Sequence, residues 1–259
     1  MESLANGQIL LERNDFDNSG YVIPISWGRF HKMTYDDFCN QINEYIEVYN
    51  KGLKKQANTQ IKSVIDFLDN LASSELDAIF HRFLSEYCDD SIWDSLSERG
   101  NGDIPFAIKN RIKLWLIPRC KEKKMPELRW YYELYHNHPQ GVEDYDFFNK
   151  CLDDAYLSDK CDQKTVDLLF DSYLDVLGWG AHHFPDGCII ETSTREDCII
   201  NCKKIMTEKT VDEKLLMKYK YYQLLYECYD MYVEDGRKRD FNLYLSEANI
   251  DFYDKKAFG

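Results

Sequence analysis

Along most of the chain the apolar residues recur every three or four positions, which is the spacing of one face of an α-helix. The first such face follows the capping residue Thr34 and carries Tyr35, Phe38, Ile42, Tyr45, Ile46 and Tyr49. The same spacing predicts three more helices, over 61–71, 74–87 and 105–117. The last should end at Ile117, because the helical conformation is unfavourable for a residue that precedes proline. Residues 34–125 are therefore predicted to form an N-terminal helical bundle.

The N-terminal segment 1–33 has a different pattern. Two short apolar runs, Ile9-Leu10-Leu11 and Tyr21-Val22-Ile23, flank the turn-rich stretch 14–20. Apolar runs on either side of a polar, glycine-containing turn are typical of a β-hairpin. Pro24 lacks a backbone N–H and would place the second strand at an edge. We therefore predict a β arm or hairpin before the helical part of the chain.

The C-terminal region 126–259 contains a weak internal repeat. The pattern F-N-x-x-L-x-x-A occurs at 148–155 and again at 241–248, each time after a tyrosine-rich helical segment. Between the two copies, Cys198, Cys202 and Ile205 repeat the i, i+4, i+7 spacing. This organisation predicts an array of three helical hairpins, at about 126–158, 162–207 and 211–249.

Residues 126–249 resemble the tetratricopeptide-like class of helical repeats. The resemblance consists of a helix with large side chains, followed by a helix with a large-x-x-x-large-x-x-small pattern. The chain departs from that class in its irregular spacing and in the phenylalanine early in each second helix. The resemblance implies a concave protein-binding surface and no enzymatic activity.

Composition indicates a folded protein of one large or two small domains. Of the 259 residues, 44% are hydrophobic and 30% are charged, and no apolar run is long enough to cross a membrane. The nine cysteines are an odd number scattered through apolar positions, which favours reduced thiols in a cytoplasmic protein. No motif for a nucleophilic enzyme or a phosphate-binding loop is present, and neither a metal nor a cofactor is expected.

The formal charge is unevenly distributed along the chain. The total is −14, and residues 142–198 alone hold 14 acidic against 4 basic residues, a net charge of −10. The preceding stretch 109–129 holds 8 basic against 2 acidic residues, a net charge of +6. An acidic protein repels nucleic acid and attracts basic protein surfaces, so we expect a basic protein partner and no direct nucleic-acid binding.

The most regular part of the acidic stretch is a row of three aspartates, Asp167, Asp171 and Asp175. Their i, i+4, i+8 spacing places them on one face of a predicted helix over 166–177, where like charges repel by a few tenths of a kcal/mol per pair. No Lys or Arg between positions 165 and 177 offsets them. The row predicts either a surface that matches a basic partner or an ordinary solvated face.

A glycine-rich connection, 178–187, follows this helix. It carries the remaining residues of the predicted partner site, Trp179, His182, His183 and Asp186. In one interpretation Trp179 is an anchor on a binding loop. In the other, Trp179 and Phe184 fill the core while the glycines form a turn. Metal binding by His182 and His183 with the aspartates, or by His with Cys188, Cys198 and Cys202, is not favoured, because neither set has a ligand spacing typical of metal sites.

These patterns favour a non-enzymatic, acidic protein-binding module. Its most concrete form is an immunity or antitoxin protein that inhibits a basic partner such as a nuclease toxin. One alternative is a nucleic-acid mimic of the kind that phages use against defence enzymes. A second alternative is an enzyme centred on His182 and His183, and self-association is left open.

Overall fold

The structure is a computed structural model that describes residues 33–89, 104–136, 142 and 144–250. Within these ranges the chain is mostly helical and contains no β-strand, so the predicted helical fold is confirmed for this part of the chain. The predicted β arm lies outside the described residues, except for Met33.

The N-terminal part is a bundle of short helices. They are α1 (Tyr35–Asn50), α2 (Lys54–Gln60), α3 (Lys62–Asp69), α4 (Ser73–Leu84) with a π-helical turn (Ser85–Asp89), and α5 (Phe106–Lys121). Thr34 caps α1, since its hydroxyl accepts from the Asp37 backbone N–H at 3.1 Å. Phe38 of α1 meets Phe83 of α4 edge to face at 5.4 Å, and Phe80 meets Trp115 of α5 at 5.9 Å. Aromatic packing therefore joins the bundle.

Helix α5 differs from the expectation that it ends at Ile117. It continues through Pro118 to Lys121. Pro118 lies on the exposed face of the helix. Proline has no N–H to donate to the carbonyl one turn back, and on this face water can donate a hydrogen bond to that carbonyl instead. One turn back, the Arg119 guanidinium donates to the carbonyl of Trp115 at 2.9 Å. A proline on the solvent face therefore did not stop this helix.

The C-terminal part consists of three pairs of helices. They are α6 (Glu127–His136) with α7 (Tyr145–Tyr156), α8 (Gln163–Ala181) with α9 (Thr192–Glu208), and α10 (Glu213–Glu234) with α11 (Phe241–Glu247). The two helices of each pair pack together, and α8 also packs on α7 and α10. Phe148 and Phe241, which open the two copies of the sequence repeat, are both buried. Helix α8 is therefore the central element of this half.

A charged cluster joins the two halves. The Arg129 side chain on α6 is 3% exposed, and its guanidinium lies 2.6 Å from Asp89, 3.0 Å from Glu133 and 3.3 Å from Asp162. Lys164 of α8 also pairs with Glu133. Asp162 in addition caps α8 by accepting from the Thr165 backbone N–H at 2.8 Å. Part of the basic stretch is thus neutralised inside the molecule.

Candidate functional site

Helix α8 carries most of the residues that the sequence singled out, and it is longer than expected. The predicted end at Leu177 is wrong, because the helix continues through Gly178 and Gly180 to Ala181. A Cβ on Gly178 would lie 2.5 Å from the Tyr222 hydroxyl, and one on Gly180 would lie 2.6 Å from Ile190 and closer still to Tyr226. These glycines let neighbouring segments approach the helix and do not form a turn.

The three aspartates of the row face other helices of the same chain. The Lys218 ammonium of α10 lies 2.8 Å from Asp171 and 3.1 Å from Asp175. The second oxygen of Asp175 lies 3.2 Å from Nε2 of His136 on α6. Asp171 and Asp175 thus link α8 to α6 and α10. We call these four side chains, with Asp167, the charge seam.

Asp167 is engaged in a different way. Its Oδ1 accepts from the backbone N–H of Asp212 and from the side-chain amide of Gln163, each at 3.1 Å. Asp212 itself caps α10, with its carboxylate accepting from the Lys214 backbone N–H at 2.8 Å. Asp167 therefore holds the start of α10 against α8.

The pKa shifts in the charge seam agree with this pairing. Burial alone would raise the pKa of Asp175, but the His136 hydrogen bond and the Lys218 charge outweigh it and hold the pKa below its usual value. Burial would lower the pKa of Lys218, but its hydrogen bond to Asp171 and the two nearby carboxylates raise it. Each charge thus stabilises the ionised form of its neighbour. The sequence missed this pairing because Lys218 is distant along the chain.

The last turn of α8 and the segment that follows it divide between the surface and the core. Trp179 is 62% exposed, and its ring stacks on His182 at 5.8 Å with an interplanar angle of 5°. His183 and Asp186 are also exposed. Phe184 instead is buried and stacks on Tyr229 at 4.0 Å with an angle of 2°. Only Phe184 therefore fills the core, while Trp179 remains available on the surface.

A cleft of about 510 Å³ lies between α6, α7 and α8. Its lining includes aromatic and carboxylate side chains, among them Tyr132, His136, Asp153, Tyr173, Asp175 and Trp179. A second cleft, of about 280 Å³, lies between α7, α8 and α9 and shares Asp153, Leu169 and Tyr173 with the first. Leu157, which is 75% exposed, borders the second cleft. We call these two neighbouring clefts, which share three lining residues, the α8 groove.

Asp153 of α7 lines both clefts. No described residue donates a hydrogen bond to its carboxylate or forms an ion pair with it. Partial burial raises its pKa, against a smaller opposing effect of Lys150. Its neighbour Asp154, by contrast, lies 3.0 Å from both Lys123 and Lys150. The two adjacent aspartates therefore differ in whether a cation of the chain is in direct contact with their carboxylate.

Tyrosines form two walls of the groove. Tyr132 is buried and stacks on Phe148 at 4.9 Å. Burial raises the pKa of Tyr132 and of Tyr173 to about 12, so both phenols stay neutral. The sequence showed Tyr132 only as part of a repeated tyrosine-rich segment and did not indicate Asp153 or Tyr173. Their proximity depends on how α7 packs against α8.

The cysteines considered for zinc lie close to the core. Cys198 and Cys202 are buried on α9, and burial raises the pKa of each thiol, for Cys202 to about 12. Among the described residues, no group of three or more His, Cys, Asp or Glu side chains is placed to hold a metal ion.

The part of the chain that the structure describes also has no helix both long and apolar enough to cross a membrane.

Comparison with known proteins gave no relative. No family model matches the chain, and no match was found among the curated proteins or the solved structures. The resemblance to tetratricopeptide-like repeats rests on the chain's own residues.

Proposed function

We propose that this chain is a non-catalytic protein-binding module whose α8 groove receives a basic protein partner. The observation that carries the proposal is the groove itself, with the exposed Trp179 at its rim and the unpaired Asp153 at its centre. An exposed tryptophan beside a concave surface is the kind of anchor that dominates binding energy in protein interfaces. Its ring supplies a large contact area at a small cost in conformational entropy.

The charge distribution supports a basic partner. Most of the residues that line the groove belong to the part of the chain with a net charge of −10, although Lys204 also lines the smaller cleft, and such a field raises the association rate of an oppositely charged protein. Within that region, Asp171 and Asp175 already share Lys218, and Asp167 is held by α10. We therefore assign direct contact to the groove, which Asp175 and His136 of the charge seam also line, and we give the rest of the seam a role in holding the helices and shaping the field.

The most concrete version of this function remains an immunity or antitoxin protein that neutralises a basic nuclease toxin. In this version Trp179 and the groove cover the toxin's substrate-binding surface, and the acidic region takes the place of the substrate phosphates. His182, His183 and Asp186 would contact the partner beside the groove, since all three are exposed next to Trp179.

The two alternatives require different surfaces. A nucleic-acid mimic needs an open row of carboxylates, and the most regular row in the sequence is engaged by Lys218 and the start of α10. An enzyme centred on His182 and His183 needs a cleft at those residues, and neither cleft of the α8 groove is lined by them. The groove therefore favours the binding module.

The test is affinity capture from the native cells, with the full chain as bait. A basic protein should be retained at low salt, released at high salt, and inhibited by the chain at a one-to-one ratio if it is a nuclease. Trp179→Ala should weaken its binding by roughly thirty-fold or more, since truncation of an interface anchor costs about 2 kcal/mol or more.

The matched control is Phe106→Ala, which removes a 73% exposed aromatic ring on α5, outside the groove. It should leave binding unchanged. Retention of acidic proteins alone, or equal binding by the Trp179→Ala variant and the wild type, would overturn the proposed function.

A further inference from the structure

We propose that the larger cleft of the α8 groove is a receptor for a single cationic side chain of the partner, with an arginine guanidinium as its best occupant. This inference rests on the proposed function and specifies which group of the partner enters the groove. It depends on the aromatic walls, on one carboxylate without a partner, and on neutral hydrogen-bond acceptors beside it.

The aromatic walls suit a cation. Tyr132, Tyr173 and Trp179 all line the cleft. A guanidinium or ammonium placed over such rings is attracted by their negative faces, and guanidinium also stacks on them. Tyr132 is buried and stacks on both Phe148 and His136, at 4.9 Å and 5.0 Å, so it orders the wall while Tyr173 and Trp179 are the rings that can face the cation. A wall that is already ordered loses little entropy when a ligand binds.

The cleft contains two carboxylates, and only one of them lacks a direct ion pair among the described residues. Asp175 is already 3.1 Å from Lys218 and 3.2 Å from His136. Asp153 has no ion pair or hydrogen-bond donor among the described residues. Asp153 is exposed and lines both clefts, so an incoming cation can reach its carboxylate without first breaking an ion pair. Asp153 is therefore the expected counter-ion.

The neutral polar groups favour arginine over lysine. Asn149 and Ser172 line the same cleft, and the Ser172 hydroxyl donates its proton to the Leu169 carbonyl at 2.7 Å. Its oxygen therefore remains an acceptor, as does the amide oxygen of Asn149. A guanidinium has five N–H donors in a planar fork, whereas an ammonium has three on one nitrogen. The wider fork can reach a carboxylate and two neutral acceptors together.

The test uses a pair of small probes of nearly the same shape, one cationic and one neutral. The full chain, labelled with ¹⁵N, is titrated with N-acetyl-arginine amide and with its neutral isostere N-acetyl-citrulline amide. Arginine should shift the indole N–H signal of Trp179, and citrulline should bind at least about tenfold more weakly. The lysine analogue should fall between the two probes.

Two neighbouring variants supply the control. Asp153→Asn should weaken arginine binding by about tenfold or more, whereas Asp154→Asn should leave it unchanged because Asp154 is already paired with Lys123 and Lys150. Both variants should keep the helical circular dichroism of the wild type. Equal affinity for citrulline and arginine, or arginine binding that survives Asp153→Asn, would refute the inference.

Partner binding separates this inference from the proposed function. If the captured partner is lost on Trp179→Ala but retained on Asp153→Asn, the binding module stands and the cation receptor fails. If arginine binds through Asp153 while no basic protein is captured, the receptor stands as a cation site and the proposed function fails.

Discussion

Helix α8 presents two flanks that differ in what satisfies their charges. On one flank the carboxylates of Asp171 and Asp175 meet Lys218 of α10, and Asp175, which also lines the larger cleft of the groove, meets His136 of α6. The other flank borders the α8 groove, where the Asp153 carboxylate has no ion pair among the described residues and Trp179 is largely exposed. The regular row of charges therefore has partners within its own chain, and a less regular set of residues forms the open surface.

Residues that are adjacent in sequence also differ in whether they pack inside the molecule or face solvent. Gly180 faces Tyr226 and Ile190, where no side chain would fit, while Trp179 points to solvent beside the groove. Five residues further from Trp179, Phe184 returns to the core. One short stretch thus contains both a packing contact and a candidate binding anchor, and mutations can tell them apart.

The sharpest contrast is between Phe184→Ala and Trp179→Ala. Phe184→Ala should lower the free energy of unfolding by about 3–5 kcal/mol, because it removes a buried ring and leaves a cavity against Tyr229 and Tyr226. Trp179→Ala should change it by no more than about 0.5 kcal/mol, since the ring is mostly in water. Urea unfolding followed by circular dichroism measures both. Similar losses in the two variants would mean that Trp179 is also a core residue.

A smaller effect is expected from Lys218→Met in the charge seam. The Lys218 side chain is 13% exposed, and its removal leaves Asp171 and Asp175 facing each other without their shared cation. We expect a loss of about 2 kcal/mol, less than for a fully buried pair because both carboxylates are partly in water. Thermal unfolding measures it, and Lys220→Met, at an exposed position of the same helix, is the matched control. Equal stability of the two variants would contradict a stabilising seam.

Much of the fold could be predicted because local patterns determine it. The helical period, the Thr34 cap and the repeated F-N-x-x-L-x-x-A pattern all correspond to observed helices. The errors arose where tertiary context overrode a local rule. Pro118 was accommodated on a solvent face, and Gly178 and Gly180 were used for close packing inside a helix. Neither outcome can be read from neighbouring residues in the chain.

The candidate site was only partly predictable, for a related reason. The sequence indicated Trp179 and the acidic region, because both are local features of composition. It could not show that Lys218 would take up the charge of Asp171 and Asp175, or that Asp153 would be left without a cation while Asp154 received two. These outcomes depend on which helices become neighbours.

The smallest expected effect concerns the pH dependence of the charge seam. The folded-state pKa of Asp175 lies below its ordinary value of about 3.9, so the ionised form contributes stability that is fully present above about pH 4. That contribution is lost as the pH falls through the folded-state pKa. Asp175→Asn should therefore cost about 1 kcal/mol at pH 7, a figure reduced for partial exposure, and progressively less below pH 4. Urea unfolding at pH 7, 5, 4 and 3 measures the gap, with the exposed Asp186→Asn as control. A gap that stays constant with pH would show that Asp175 acts through packing, and the charge seam would then lose its electrostatic basis.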